Sequence, residues 1–204
     1  MIKKLILLLL SFFDFFHQRK IIKFLSKKNL TKIDILFDVG AHKGESIGLF
    51  LRNMNVKKII SFEPSPINFL RLKNIKEHYI KKFNKTDIII ENIGLGNENK
   101  QINFKQFEES SSSTMKEIDE ESSYFKKKFN LLNLFSKKKK YQILKVEIIT
   151  LEDYMNLNNI NKISFLKIDT EGYEYEVLKG LKKKIHLVDM IMFEHHYDNM
   201  IIKN

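Results

Sequence analysis

The 204-residue sequence predicts one α/β domain in which a mainly parallel sheet carries helices on both faces. Three observations favour this fold. Short apolar segments alternate with helix-like segments from residue 31 onward. A glycine-containing turn follows the first apolar segment, and an acidic residue follows the second. Both features are typical of sheets that bind ligands at the carboxyl ends of their strands.

The N-terminal 30 residues are predicted to form a separate apolar and basic helix. Residues 5–13 resemble a signal peptide, but Asp14 interrupts the apolar run and no small-residue cleavage site follows. The run is too short to cross a bilayer as a helix. The absence of cysteine fits a reducing compartment. We therefore expect a cytoplasmic protein, with peripheral contact to the inner membrane face as an open alternative.

The remaining residues, 31–204, are predicted to form the α/β domain. Ser65 and Pro66 favour a helix start, as N-cap and first helical residue. Strands separated by helices indicate parallel pairs with right-handed crossovers. The predicted elements of the first half are a strand at 33–39, a helix at 44–54, a strand at 58–62, a helix at 66–83 and a strand at 87–91.

An insertion at about residues 105–142 interrupts this alternation. It contains the serine-rich tract 110–114 and two lysine-rich stretches, and we interpret it as an acceptor-facing loop or a flexible linker. The predicted elements around it are strands at 102–107, 145–150, 163–169 and 188–194, with helices beginning near Leu151 and running through Glu174 to Gly180.

Two of the predicted strands end in residues suited to a cofactor. Gly40 and Gly44 allow a sharp turn and close approach of the backbone to a ligand, and the helix that follows offers free N–H groups. Glu63 closes the second strand, where an acidic residue accepts hydrogen bonds from ribose hydroxyls. The pair predicts an adenosine-type cofactor without separating S-adenosylmethionine from NAD.

Several motifs together resemble the FkbM methyltransferase family, in order and in approximate spacing. They lie at residues 38–45, 62–66, 150–154, 165–174 and 177–180. The resemblance implies a Rossmann-like class I methyltransferase fold and methyl transfer from S-adenosyl-L-methionine, typically to a hydroxyl oxygen of a saccharide or small molecule. Such a sheet has two strands beyond the last one predicted here, so we expect a sheet that lacks its C-terminal strands through truncation.

The resemblance also implies roles for individual residues. It places the methionine part of the cofactor near the first turn and the ribose at Glu63. Asn92 and Ile93 would lie at the adenine, with core packing an equal alternative for Ile93. The residues expected around the methionine part are Asp38, Gly40, His42, Gly44 and Glu45.

Asp169, Glu171 and His195 are the candidate catalytic residues. A sugar hydroxyl is a poor nucleophile while protonated, so a nearby base or a divalent cation is expected to activate it. Asp169 and Glu194 are the candidate ligands of that cation. Glu171 could instead serve the start of the following helix, and His195 could lie at the surface.

The net charge of +11 raises the alternative of a polyanion-binding protein. Arginine, which pairs best with phosphates, occurs at only three positions, so no nucleic-acid partner is expected. Two alternative functions stay open: an inactive remnant that binds a membrane surface or a polyanion, and an NAD-dependent oxidoreductase. The sequence does not indicate an oligomeric state.

Overall fold

The computed structural model describes residues 18–28, 30–107, 113–115 and 141–193. Residues 18–27 are helical and are called α1. The other elements are β1 (Lys32–Val39), α2 (Glu45–Asn53), β2 (Asn55–Phe62), α3 (Pro66–Lys82), β3 (Asp87–Glu91), β4 (Gly94–Gly96), β5 (Lys100–Phe107), β6 (Tyr141–Thr150), α4 (Leu151–Leu157), β7 (Phe165–Ile168), α5 (Glu174–Lys179), a 3-10 helix (Lys182–Leu187) and β8 (Ile191–Phe193).

Five of the described strands form the main sheet in the order β3-β2-β1-β7-β8. Every pair in it is parallel, as predicted. The order reverses direction between β1 and β7, because the chain adds strands on one side of β1 and then on the other. Ligands of open α/β sheets bind outside the carboxyl ends of the strands at such a reversal.

Both faces of the main sheet are covered, which confirms the predicted layering. One face packs against α1, α2 and α3 through a core that includes Leu36, Phe50 and Leu72. The other face packs against α4 and α5 through a core that includes Phe62 and Val177. Each of these side chains is fully buried, and such burial contributes about 1.5–3 kcal/mol per residue.

A second sheet, in the order β4-β6-β5, was not predicted. β6 pairs parallel with β4 and antiparallel with β5. The sequence indicated strands near β5 and β6 but placed no sheet there. β4 escaped prediction because a three-residue strand with two glycines has no readable periodicity. Most of the predicted insertion, residues 108–112 and 116–140, lies outside the described residues.

The boundaries of the other elements follow local interactions. Ser65 Oγ accepts a hydrogen bond from the Asn68 amide at 3.2 Å, which confirms the predicted cap of α3. Thr150 Oγ1 accepts one from the Asp153 amide at 3.0 Å and caps α4 in the same way. β2 begins at Asn55 rather than at Lys58, since its first residues pair with β1.

The N-terminal prediction is only partly open to inspection, because residues 1–17 lie outside the described part. Within that part, the side chain of Leu25 on α1 is buried against the core. Among the described helices, none has the length and apolar character needed to cross a membrane.

The turn after β1 generates a prediction about stability. Gly40 and Gly44 both have left-handed φ angles, of 80° and 86°. A Cβ on Gly40 would lie 1.8 Å from the carbonyl oxygen of Asp169, whereas one on Gly44 would meet only the side-chain ends of Leu72 and Ile75, at 3.0 and 3.1 Å. Gly44→Ala should therefore cost about 1–2 kcal/mol of unfolding free energy, from the φ angle alone.

Gly40→Ala should cost roughly 1–3 kcal/mol more, because backbone must move to admit the methyl group. Urea denaturation of both variants measures the difference. Equal losses of stability would show that the contact with Asp169 does not constrain the turn.

Candidate functional site

A cavity of about 310 Å³ opens at the carboxyl ends of β1, β2 and β7. It lies where the strand order reverses, as expected for a ligand site in this fold. The main-sheet side is lined by the residues that follow the three strands, and the opposite side by residues near the second sheet. The lining comprises Gln18, Val39, Gly40, Ala41, His42, Glu45, Ser46, Phe62, Glu63, Pro64, Asn68, Gly94, Leu95, Phe104, Ser113, Met115, Lys167, Asp169, Thr170 and Glu171.

The turn after β1 is tied to both neighbouring strands. The amides of Gly40 and Ala41 both donate to the carbonyl oxygen of Phe62 at 3.0 Å. On the other side, the amide of Asp169 donates to the carbonyl oxygen of Val39 at 2.9 Å. The ends of β1, β2 and β7 are therefore fixed relative to one another, and with them the residues that follow each strand.

Glu63 is a buried carboxylate at the end of β2, with 4% of its surface exposed. Its Oε2 accepts a hydrogen bond from the His42 amide at 2.8 Å, and its Oε1 accepts one from the Ser65 amide at 3.0 Å. Burial raises the pKa of Glu63 to about 7, although these hydrogen bonds oppose the rise. The carboxyl group is thus poised to change charge near neutral pH.

Asn68 adds an unpaired acceptor beside Glu63. Its Nδ2 lies 3.5 Å from Glu63 Oε1, which orients the amide so that Nδ2 faces the carboxylate. Its Oδ1 is buried, and no described group donates to it. A buried oxygen without a donor is costly, so this atom suits a ligand that brings a hydroxyl or amino hydrogen.

His42 and Glu45 form a second polar group on the lining. His42 Nδ1 lies 3.2 Å from Glu45 Oε1, and the Lys43 amide donates to Glu45 Oε2 at 3.1 Å. Burial alone would raise the pKa of Glu45, but the hydrogen bonds and the charge interaction with His42 lower it below its usual value. Glu45 is therefore an ionised carboxylate at neutral pH.

Lys167 joins two carboxylates across neighbouring strands. It lies directly opposite Asp38 in the register of β7 and β1. Its Nζ is 3.1 Å from Asp38 Oδ1 and 3.3 Å from Asp169 Oδ2. Burial alone would lower the pKa of Lys167, but the two carboxylates raise it above its ordinary value. The ammonium group therefore stays charged and holds Asp169 at the edge of the cavity.

The loop after β7 is ordered by a short carboxylate network. Glu174 Oε1 accepts hydrogen bonds from the amides of Thr170 and Gly172, at 2.9 and 3.1 Å. Glu171 has a left-handed φ of 53°, and its carbonyl oxygen accepts a hydrogen bond from Thr114 Oγ1 at 2.7 Å. Glu174 thus supports the start of α5. The sequence analysis had proposed this role for Glu171, as the alternative to catalysis.

Six of the predicted site residues line the cavity: Gly40, His42, Glu45, Glu63, Asp169 and Glu171. Four others do not. Asp38 is fully buried behind the lining, where it pairs with Lys167. Gly44 begins α2 and packs under Leu72 and Ile75. Glu194 and His195 lie outside the described residues, so their predicted roles stay predictions.

Asn92 and Ile93, predicted at the adenine, also lie away from the cavity lining. Asn92 Nδ2 donates to the carbonyl oxygens of Glu63 and Pro64, at 2.8 and 3.2 Å. It therefore supports the turn after β2 from outside. Ile93 packs against the hydrophobic core, as its alternative interpretation proposed.

Sequence reasoning missed several residues of the lining. Lys167 had a readable signal, since a lone lysine in a buried apolar strand needs a counter-ion. Asn68 and Met115 had none, because they reach the cavity only through the tertiary fold. Ser113 belongs to the tract 110–114, which the sequence analysis interpreted as an acceptor-facing loop or a flexible linker. No three metal-binding side chains of the described part converge on one point. Of the two predicted cation ligands, Asp169 lines the cavity and Glu194 lies outside the described residues, so the cation site stays a prediction.

A parallel α/β sheet with a glycine turn and a buried carboxylate at adjacent strand ends is the arrangement of open α/β proteins whose ligand sites lie at the switch point of the sheet. Residues 38–202 match the methyltransferase FkbM domain, and the chain belongs to the FkbM methyltransferase family. This confirms the resemblance found in the sequence.

One solved structure similar to this chain is the crystal structure of methyltransferase FkbM from Methylobacillus flagellatus KT. The two are 18% identical, with a TM-score of 0.48. The match covers 74% of this chain and 30% of that protein, so the chain spans less than a third of its length. No curated protein sequence matches the chain.

The ion pair behind the cavity generates a prediction. Lys167→Met should leave the Asp38 carboxylate buried without a counter-ion and cost about 3–5 kcal/mol of unfolding free energy. The double variant Asp38→Asn/Lys167→Met removes both charges at similar volume and should recover most of that loss. Chemical denaturation of the two variants measures the coupling. A double variant no more stable than Lys167→Met would contradict the pairing.

Proposed function

We propose that the chain is an S-adenosylmethionine-dependent methyltransferase that methylates a hydroxyl oxygen of a saccharide or small molecule. Membership of the FkbM family supports methyl transfer. The cofactor is inferred from the cavity, and the acceptor class from the family resemblance together with the carboxylate at Asp169.

The charge of the cavity lining is the observation that favours this cofactor. Four carboxylates line it, those of Glu45, Glu63, Asp169 and Glu171, against a single ammonium group, that of Lys167, among the described residues. The site is therefore acidic within a chain of net charge +11. Such a lining attracts a sulfonium cation and repels the diphosphate of NAD, which disfavours the oxidoreductase alternative.

The residues at the end of β2 fit the nucleoside part of this cofactor. A ribose has two adjacent hydroxyls that need acceptors, and Glu63 Oε2, which accepts the His42 amide, has a further lone pair for one of them. The unpaired Oδ1 of Asn68 is a further acceptor in the same region. At the end of β1, the turn at Gly40 and the ionised Glu45 lie where the resemblance places the amino-acid part.

The residues around Asp169 fit activation of a hydroxyl. When bound, S-adenosylmethionine supplies an electrophilic methyl group. Asp169 is the carboxylate that would take the acceptor's proton, and Lys167 orients it through their contact at 3.3 Å. Phe62, Leu95 and Phe104 give the lining an apolar part that limits access of water.

Calorimetric titration with S-adenosylhomocysteine tests the cofactor, with NAD as the competing ligand. The wild-type chain should bind S-adenosylhomocysteine alone. Glu63→Ala should weaken binding by about tenfold or more, since it removes a charged hydrogen-bond acceptor. Asp169→Asn is the matched control and should spare binding, because its carboxylate is assigned to the acceptor. Binding of NAD alone by the folded chain would favour the oxidoreductase.

The affinity for S-adenosylhomocysteine should also depend on pH. The pKa of Glu63 is about 7. Below this value one oxygen carries a proton and cannot accept from a ribose hydroxyl, so binding should be weak. It should strengthen by up to about tenfold between roughly pH 6 and pH 8 as the carboxyl ionises. Titrations across this range measure the profile, and Glu63→Ala should flatten it. A profile unchanged by that substitution would assign the pH dependence to another group.

A further inference from the structure

We propose that the Ser113 hydroxyl donates a hydrogen bond to an unprotonated ring nitrogen of the donor's purine base. This inference rests on the proposed function, because it deepens the assignment of the cofactor. It assigns contact with the base to Ser113, which lines the cavity, instead of to Asn92 and Ile93, which do not.

The Ser113 hydroxyl can form a further hydrogen bond only as a donor. The backbone amide of Phe107 and the side-chain Nε2 of Gln106 both donate to Ser113 Oγ, each at 3.0 Å. Two accepted bonds fill both lone pairs of a hydroxyl oxygen, so Ser113 can only donate further. No described group accepts that proton, Ser113 is 8% exposed, and it lines the cavity.

The orientation of the Gln106 amide is fixed by its neighbours. Its Nε2 also donates to the carbonyl oxygen of Phe107 at 3.1 Å, and a carbonyl can only accept. Its Oε1 accepts a hydrogen bond from Ser65 Oγ. Ser113 is thus held by an amide that cannot flip, and its proton is directed before a ligand arrives. Preorganised donors of this kind give specificity at little entropic cost.

The surroundings of Ser113 fit a flat ring. Pro64, Gly94 and Met115 all line the cavity. A Cβ on Gly94 would lie 2.5 Å from Ile148 Cδ1, 3.4 Å from Pro64 Cβ and 3.5 Å from Met115 Sδ, so the lining around Gly94 is formed by closely packed apolar atoms. Thioether sulfur packs favourably against aromatic rings. A planar base therefore suits this apolar part of the lining better than a saccharide, whose hydroxyls would lie against apolar atoms.

A short polar network connects Ser113 to the carboxylate assigned to the ribose. Ser65 donates through its amide to Glu63 and through its hydroxyl to Gln106, which in turn holds Ser113. Two side chains thus separate the carboxylate assigned to the ribose from the hydroxyl assigned to the base. Base and ribose are directly bonded in a nucleoside, so their binding residues are expected to be close neighbours.

The test compares S-adenosylhomocysteine with its 1-deaza, 3-deaza and 7-deaza analogues, each of which replaces one ring nitrogen by C–H. One analogue should bind the wild-type chain about tenfold more weakly than the parent, because the Ser113 proton loses its acceptor. Ser113→Ala should bind the parent compound about tenfold more weakly than the wild-type chain does. The variant should bind the parent and that analogue with equal affinity. This vanishing penalty isolates the contact between residue and ring atom.

Thr114→Val is the matched control for a loosened segment, because it removes the hydrogen bond to Glu171 and leaves the Ser113 hydroxyl in place. Thr114→Val should lose as much affinity as the wild-type chain does when the deaza analogue replaces S-adenosylhomocysteine. Unchanged binding of S-adenosylhomocysteine by Ser113→Ala would overturn the inference while the cofactor assignment stands. A folded wild-type chain that does not bind S-adenosylhomocysteine would overturn both.

Discussion

The buried ion pair between Lys167 and Asp38 is the interaction on which the site geometry depends. Asp38 has no exposed surface and lies opposite Lys167 in the register of β1 and β7. A slip of β7 by one residue would move Lys167 to the other face of the sheet and leave the Asp38 carboxylate buried without a counter-ion. The pair therefore specifies how the two central strands align. That alignment in turn places Asp169 beside the turn at Gly40.

The overall charge of the chain and the charge of its site have opposite signs, and both follow from where ionisable groups lie. Exposed lysines, such as Lys57 in its contact with Asp34, are screened by water and contribute little. The carboxylate of Glu63, with 4% of its surface exposed, lies on a desolvated part of the lining, where its interactions with a ligand are much stronger. Net charge is thus a poor guide to the ligand of this protein, and local burial is a better one.

The sequence predicts the main-sheet side of the site well and the other side poorly, for a physical reason. Asp38 lies near the end of an apolar strand, Glu63 and Asp169 each follow one, and parallel strands bring their carboxyl ends to one edge. The local sequence pattern is therefore sufficient to predict that Glu63 and Asp169 lie at this edge, where the cavity opens. It cannot show that the Asp38 side chain turns away toward Lys167. Nor can it pair β5 with β6, since those strands are joined by a long segment with no readable period.

The second sheet belongs to the binding site rather than to the periphery of the fold. The main sheet contributes the glycine turn and the carboxylates, whereas Phe104 and the segment 113–115 contribute the facing wall of the cavity. That segment pairs with β5 through two backbone hydrogen bonds between Lys105 and Thr114. Apolar contacts alone would let the two sheets slide, but a buried hydrogen bond from Ser65 to Gln106 fixes their relative position. The shape of the cavity is therefore set in part by this polar contact, which gives a buried glutamine a structural role at a position where an apolar residue would pack more easily.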